Sequence, residues 1–185
     1  GIKIDEKKIV SSTGGLSLDH VPEKLVVIGG GYIGLEMGSV WNRLGSKVTV
    51  VEFMDRLVPA MDQEMGAALM KALTKQGIDF KLSTKVMGIK EEKNKLTLSL
   101  EDTSGKKETL EADTVLVATG RRPYTQGLGL EKIGVALNEK GFVVVNERYE
   151  TSVSGVYAIG DVIPGPMLAH KAEEEGIAAV EIIAG

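Results

Sequence analysis

Residues 24–52, KLVVIGGGYIGLEMGSVWNRLGSKVTVVE, place an apolar run, a Gly-x-Gly-x-x-Gly turn, a helix-forming stretch and a second apolar run closed by an acidic residue in direct succession. That order is the layout of a nucleotide-binding βαβ unit. Gly29 allows the tight turn out of the first strand. Gly31 lets the backbone approach a pyrophosphate with no Cβ in the way, and Gly34 lets the helix pack closely on the sheet. The phosphates then sit at the helix N-terminus, where roughly half a positive charge faces them, an interaction of about 0.3–1 kcal/mol when exposed and up to about 2 when partly buried. A glycine string alone is common between strands and helices. Here the context gives it weight: Leu25 to Ile28 are all apolar, Leu35 to Leu44 carry helix formers, and Val48 to Val51 restart a buried strand about twenty residues after the turn. The chain is therefore expected to bind a dinucleotide.

Glu52 selects which one. A carboxylate at the end of the second strand accepts hydrogen bonds from a ribose diol, whereas a 2′-phosphate in the same place would meet a like charge. At about 4 Å that repulsion reaches up to roughly 4 kcal/mol at an effective dielectric of 20, and a fraction of it gives a tenfold preference. Phe53, Met54 and Asp55 bring no positive charge, and Arg56, the nearby basic residue, reads as a solvated loop residue. NAD is favoured over NADP.

The 185 residues allow one compact domain with an appendage or two small ones. With 26 acidic against 22 basic side chains and no Lys/Arg-rich block, neither nucleic acid nor a membrane surface is an expected partner. There is no apolar run near twenty residues and no signal peptide, and a first residue of Gly1 rather than Met suggests an excised or processed piece. Cysteine is absent, which excludes disulfides, thiolate nucleophiles and cysteine-ligated metals within these residues. No metal site is expected.

Beyond the first βαβ unit, Met61 to Gln76 carries apolar residues at helical spacing, Gly77 stops it, and Ile78 to Leu82 reads as a third parallel strand. From Lys85 to Ala112 the pattern changes to short alternating runs, Val86–Ile89, Leu96–Leu100 and Glu108–Leu110, separated by Glu92–Asn94 and Asp102–Gly105. These predict an antiparallel meander inserted into the sheet. Asp113 to Ala118 returns to a buried strand ending at Thr119 and Gly120. A different unit follows from Arg121, with a hairpin signal at Asn138–Gly141, strands at Phe142–Val145 and Val156–Ile159, and a helix over Leu168–Ala184. The fold class expected is α/β: residues 1–120 form a Rossmann-like βαβ domain that includes a linker over 1–22, and residues 121–185 a small α+β segment. At the end of the second of those strands, Asp161 has two readings, an acceptor for ligand hydroxyls or a turn residue capping the next segment.

The segments VVIGGGYIGLE, VTVVE, VATGRRP, TSVSGVYAIGDV and GPMLAHKAEEEG together closely resemble the dihydrolipoyl dehydrogenases, FAD- and NAD-dependent disulfide oxidoreductases of 2-oxoacid dehydrogenase complexes. The resemblance covers nearly the whole chain but only the middle of such an enzyme, its NAD domain and central domain. It implies that the family's first FAD glycine turn, redox-active cysteine pair and C-terminal dimer domain with a His–Glu base pair have no counterpart here. NADP-dependent relatives place arginines after the second strand, where this chain has Glu52, and GPMLAHKAEEEG is similar to the lipoamide enzymes rather than to glutathione, trypanothione or mercuric reductases.

By that resemblance Gly29, Gly30, Gly31, Tyr32, Ile33, Gly34, Leu35 and Glu36 line NAD together with Glu52, Val86 and Gly120. Glu36 falls near the nicotinamide ribose; on the residues alone it is a solvated helical glutamate. Tyr32 is implied to be a cover over the nicotinamide side of the flavin, against the plainer reading of a ring packed on apolar neighbours. Asp161 is implied to bind the ribityl chain of FAD. The segment after Pro164-Gly165-Pro166, Met167, Leu168, Ala169 and His170, offers backbone N–H groups toward the flavin pyrimidine. His170 is not assigned acid–base work, because the family draws its proton-transfer His from the domain absent here, and His20 reads as a loop residue.

The implied function is reoxidation of dihydrolipoamide, with electrons passed via FAD to NAD; this chain supplies the NAD site and half of the FAD site, and no catalytic residue of its own. A homodimeric parent in the mitochondrial matrix or bacterial cytoplasm is implied. The readings set against it are a free-standing NAD(H)-binding module without redox chemistry, and a piece of an NADH oxidase or ferredoxin-reductase-like flavoenzyme. Asp161 and the helix after it favour the first, since a lone NAD module has no use for them.

Overall fold

The computed structural model describes residues 2–92 and 95–185, so most of the expected Glu92–Asn94 turn lies outside the described residues. The chain divides into two compact units, Gly1–Gly120 and Arg121–Gly185.

The first unit runs β1 (Ile9–Val10), α1 (Ser12–Gly15), β2 (Lys24–Ile28), α2 (Tyr32–Leu44), β3 (Lys47–Val51), α3 (Gln63–Lys75), β4 (Asp79–Lys81), β5 (Thr84–Glu92), β6 (Lys95–Asp102), β7 (Lys107–Ala112) and β8 (Thr114–Val117). Five strands form a parallel sheet in the order β1-β8-β2-β3-β4. The unbroken apolar runs of β2 and β3 follow from that position: Leu25 to Ile28 and Val48, Val50 and Val51 are all buried, because a central parallel strand is covered on both faces. On one face Leu35 and Met37 of α2 and Leu73 of α3 pack against Leu25, Val27, Val48 and Val50. Gly45, at φ +115°, ends α2 with its N–H on the Asn42 carbonyl at 3.0 Å. Asp62 caps α3, accepting the Glu64 N–H at 2.8 Å.

The meander forms, but beside the parallel sheet rather than in it. Strands β5, β6 and β7 make their own antiparallel sheet, and β8 returns to pair with β2. The alternation in β6 explains why. Leu96, Leu98 and Leu100 are at most 1% exposed and pack on Val26, Ile28, Val51 and Val115, covering the face that carries no α2 or α3, while Thr97, Ser99 and Glu101 point the other way. A strand with one polar face cannot sit inside a parallel sheet buried on both. Residues 9–10, within the expected linker, form an edge strand parallel to β8.

The second unit holds α4 (Leu130–Ile133), a 3₁₀ turn over Gly160–Val162 and α5 (Ala169–Ala184). The Asn138–Gly141 turn is present, with the Gly141 N–H on the Asn138 carbonyl at 2.9 Å. The strands expected at Phe142–Val145 and Val156–Ile159 are not ladders. They make single bridges, Leu137 with Val143, Val145 with Thr151 and Glu150 with Tyr157, each segment meeting a partner for one residue at a time. Val135, Val143 and Ile163 form the small core beneath them. Among the described residues no helix is long and apolar enough to cross a membrane.

Candidate functional site

The glycine turn leaves β2 at Gly29, whose φ of +112° lies in the left-handed region and whose N–H donates to the Val51 carbonyl at 2.9 Å. A Cβ on Gly29 would stand 2.4 Å from the Ala118 carbonyl oxygen, backbone that cannot yield. Gly34 is closed in as tightly, since a Cβ there would meet the Gly29 carbonyl oxygen at 2.4 Å and Val27 at 3.0 Å. Both glycines are required by the chain itself. Gly31 is different. It caps α2 with an ordinary φ of −78°, no side chain caps the helix, and a Cβ on Gly31 would have nothing within 4 Å. Open space thus stands over bare backbone at a helix N-terminus, which is the arrangement a phosphate group needs.

Around it lies a cleft of about 620 Å³ at the carboxyl ends of β2, β3 and β8, and it collects Gly29, Gly31, Glu52, Val86 and Gly120 of the predicted set. Ligands in open α/β sheets bind in this same crevice, beyond the carboxyl ends of the strands. Glu52, at the end of β3, is only 9% exposed. One of its carboxylate oxygens accepts the Gly30 N–H and the other accepts the Met54 N–H at 2.7 Å. A carboxylate has about four lone-pair sites, so each oxygen retains capacity for a ligand hydroxyl. The structure therefore gives Glu52 a second task, holding the glycine turn to the end of β3, that no local pattern announced.

Other predicted residues lie outside this cleft lining. Tyr32 is the first residue of α2 and is half-buried; Glu36 is exposed one turn further on. Leu35 is 3% exposed in the core and its N–H is on the Gly31 carbonyl, and Ile33 packs against that core, so what these two offer a ligand comes from the backbone at most. The sequence reading missed Thr84, Lys85, Pro59 and Thr119, which also line the cleft. Lys85 brings a positive charge that the comparison of NAD with NADP did not count, but it is exposed and screened by water where Glu52 is not. Arg56 is exposed and donates to the Pro59 carbonyl at 3.2 Å. His20 is exposed beside Asp19, and that histidine holds the Asp19 carboxyl below its ordinary value.

In the second unit Asp161 belongs to the 3₁₀ turn rather than to a strand end, and its carboxylate pairs with the Arg121 guanidinium at 2.8 Å. Both side chains remain partly exposed. Helix α5 starts after Leu168 with no side-chain cap, Met167 and Leu168 half-buried and Ala169 and His170 exposed.

Residues 2–176 match the model of the pyridine nucleotide-disulphide oxidoreductases. The chain belongs to that family. It is 60% identical over 186 aligned residues to the mitochondrial dihydrolipoyl dehydrogenase of Pisum sativum, covering all of this chain and 37% of that protein. Leghemoglobin reductase of Glycine max is similar at 59% identity, with 100% of this chain and 36% of the relative covered. Among solved structures, the Cu(II) complex of the HOCl-induced flavoprotein disulfide reductase RclA from Escherichia coli matches 96% of the chain and 39% of its own length, with a TM-score of 0.85 at 31% identity. The chain thus spans little more than a third of the relatives it matches, and within the family both the parallel sheet and the separate three-stranded sheet find their counterpart.

Proposed function

We propose that this chain is part of an NAD-dependent dihydrolipoyl dehydrogenase and supplies the NAD site and half of the FAD site. The observation that carries the first half is Gly31: a glycine with no conformational need to be one, standing under open space at an uncapped helix end, in the same cleft as Glu52. A pyrophosphate fits over Gly29 to Gly31 and the first turn of α2, a ribose diol fits Glu52, and Val86 and Gly120 are walls of the same cleft. Glu36, exposed on α2, is assigned to the nicotinamide ribose.

The residues of the second unit fit one side of a flavin. Asp161 is presented in a turn with one carboxylate oxygen on Arg121, leaving the other for ribityl hydroxyls, and α5 begins at Ala169 and His170 with no side-chain cap on its first N–H groups, while the Leu168 N–H just before it is on the Pro166 carbonyl at 3.1 Å. Flavin, when bound, supplies the two-electron chemistry between the dithiol and the nicotinamide. The 185 residues contain no cysteine, so the thiol pair is assigned to other parts of the full-length protein, as is the proton-transfer His. We assign that protein to the mitochondrial matrix on the names of its relatives, and to a homodimer within 2-oxoacid dehydrogenase complexes on the family resemblance alone.

The chain purified alone is expected to be colourless and to reduce no lipoamide, because half a flavin site holds flavin poorly. Stoichiometric FAD surviving desalting, or any lipoamide turnover, would contradict the division of labour. In the full-length protein, Asp161→Ala is expected to lower flavin occupancy, read as the ratio of flavin to protein absorbance; an unchanged ratio would return Asp161 to the role of a turn residue.

A further inference from the structure

Lys171 and Glu175 stand one turn apart on α5 and pair at 2.9 Å, with side chains only 17% and 13% exposed. An ion pair this far from water is costly unless its remaining donors and acceptors are used. Here they converge on a single residue. Glu175 accepts the N–H of Gly160 at 2.8 Å, and the Lys171 ammonium donates to the Gly160 carbonyl at 3.3 Å. Gly160 has a φ of +73° and immediately precedes Asp161. The same lysine lies against the Pro-Gly-Pro bend, since a Cβ on Gly165 would stand 2.9 Å from Lys171 Cε and 3.3 Å from its Nζ. One side chain therefore touches both the turn that carries Asp161 and the bend that leads into α5.

We propose that the Lys171–Glu175 pair is a positioning device, which fixes Asp161 and the first N–H groups of α5 relative to one another for a flavin; it rests on the flavin reading above. Apolar side chains of similar size would fill the same space at no desolvation cost. What they would lack is direction. By holding the N–H and C=O of Gly160 together, the pair fixes the peptide on each side of that residue and so the bearing of the Asp161 side chain, which Arg121 then meets at 2.8 Å.

The test uses the full-length flavin-loaded protein, with FAD titrated back onto apoprotein. Glu175→Ala is expected to weaken FAD binding about tenfold to a hundredfold, from the loss of a partly buried charged hydrogen bond, and to alter the visible flavin bands. Glu175→Gln, whose amide oxygen still accepts from Gly160, is expected to restore most of the affinity. Lys171→Met keeps the aliphatic stem against Gly165 but drops the ammonium with its bonds to Glu175 and the Gly160 carbonyl, and is expected to fall between them; it carries the comparison should Glu175→Ala not fold. Unchanged FAD affinity and flavin spectrum in Lys171→Met and Glu175→Ala would overturn the proposal, even with lower thermal stability, and so would Glu175→Gln binding as weakly as Glu175→Ala. If Asp161→Ala also leaves FAD affinity intact, the flavin reading itself has failed; a loss in Asp161→Ala alone leaves that reading standing and removes the positioning role.

Discussion

Gly31→Ala is expected to abolish dinucleotide binding while leaving the unliganded fold almost as stable as before. The new methyl group meets nothing within 4 Å, and Gly31 already has a φ open to any residue. The cost to the fold is the weaker helix cap alone, about 1 kcal/mol or less. The same methyl would occupy the space over the backbone where a pyrophosphate must come closest. Gly29→Ala makes the contrast. Its left-handed φ costs about 1–3 kcal/mol for an alanine, and the contact with the Ala118 carbonyl oxygen at 2.4 Å adds about 1–3 kcal/mol more. Set against a total stability of about 5–15 kcal/mol, that substitution is expected to lower the unfolding temperature sharply as well as binding. Thermal unfolding and NADH titration of both variants separate the two cases. Normal NADH affinity in Gly31→Ala would remove the phosphate from this turn.

Changing Glu52 is expected to alter nucleotide preference and stability together. Its carboxylate holds the Gly30 and Met54 N–H groups, so Glu52→Arg leaves two poorly exposed donors without their acceptor, at about 1–3 kcal/mol each. The arginine would also exchange repulsion of a 2′-phosphate for a guanidinium that binds it. The ratio of NADPH to NADH dissociation constants should therefore narrow or reverse, in a protein that unfolds at a lower temperature. Glu52→Gln keeps one amide oxygen as acceptor and is expected to lose less stability while still narrowing the ratio, since the like charge is gone. A ratio unmoved by either substitution would detach Glu52 from the ribose.

Much of this was legible in the chain. The βαβ unit is read from short-range pattern alone, because a strand buried on both faces must be apolar throughout and the glycine spacing is dictated by contacts within a few residues. The alternation of Leu96, Leu98 and Leu100 likewise announced a one-faced strand, and the same alternation, followed further, would have ruled it out of the parallel sheet. Ile9–Val10 escaped because two residues carry no period. Phe142–Val145 and Val156–Ile159 have the composition of strands, but a ladder needs a continuous partner, and composition does not say whether one is there. The second task of Glu52 links residues 22 apart in sequence. The spacing of Lys171 and Glu175 marks an i,i+4 pair on a helix, yet nothing in that spacing points to Gly160.

The most direct test of the central claim, that the cleft beyond β2, β3 and β8 is an NAD site, is a pair of titrations of this chain with NADH and NADPH at one salt concentration, read by fluorescence or calorimetry. Saturable NADH binding with NADPH at least about tenfold weaker is the expected result. Equal affinities would sink the role of Glu52, and no binding of either nucleotide would contradict the site itself.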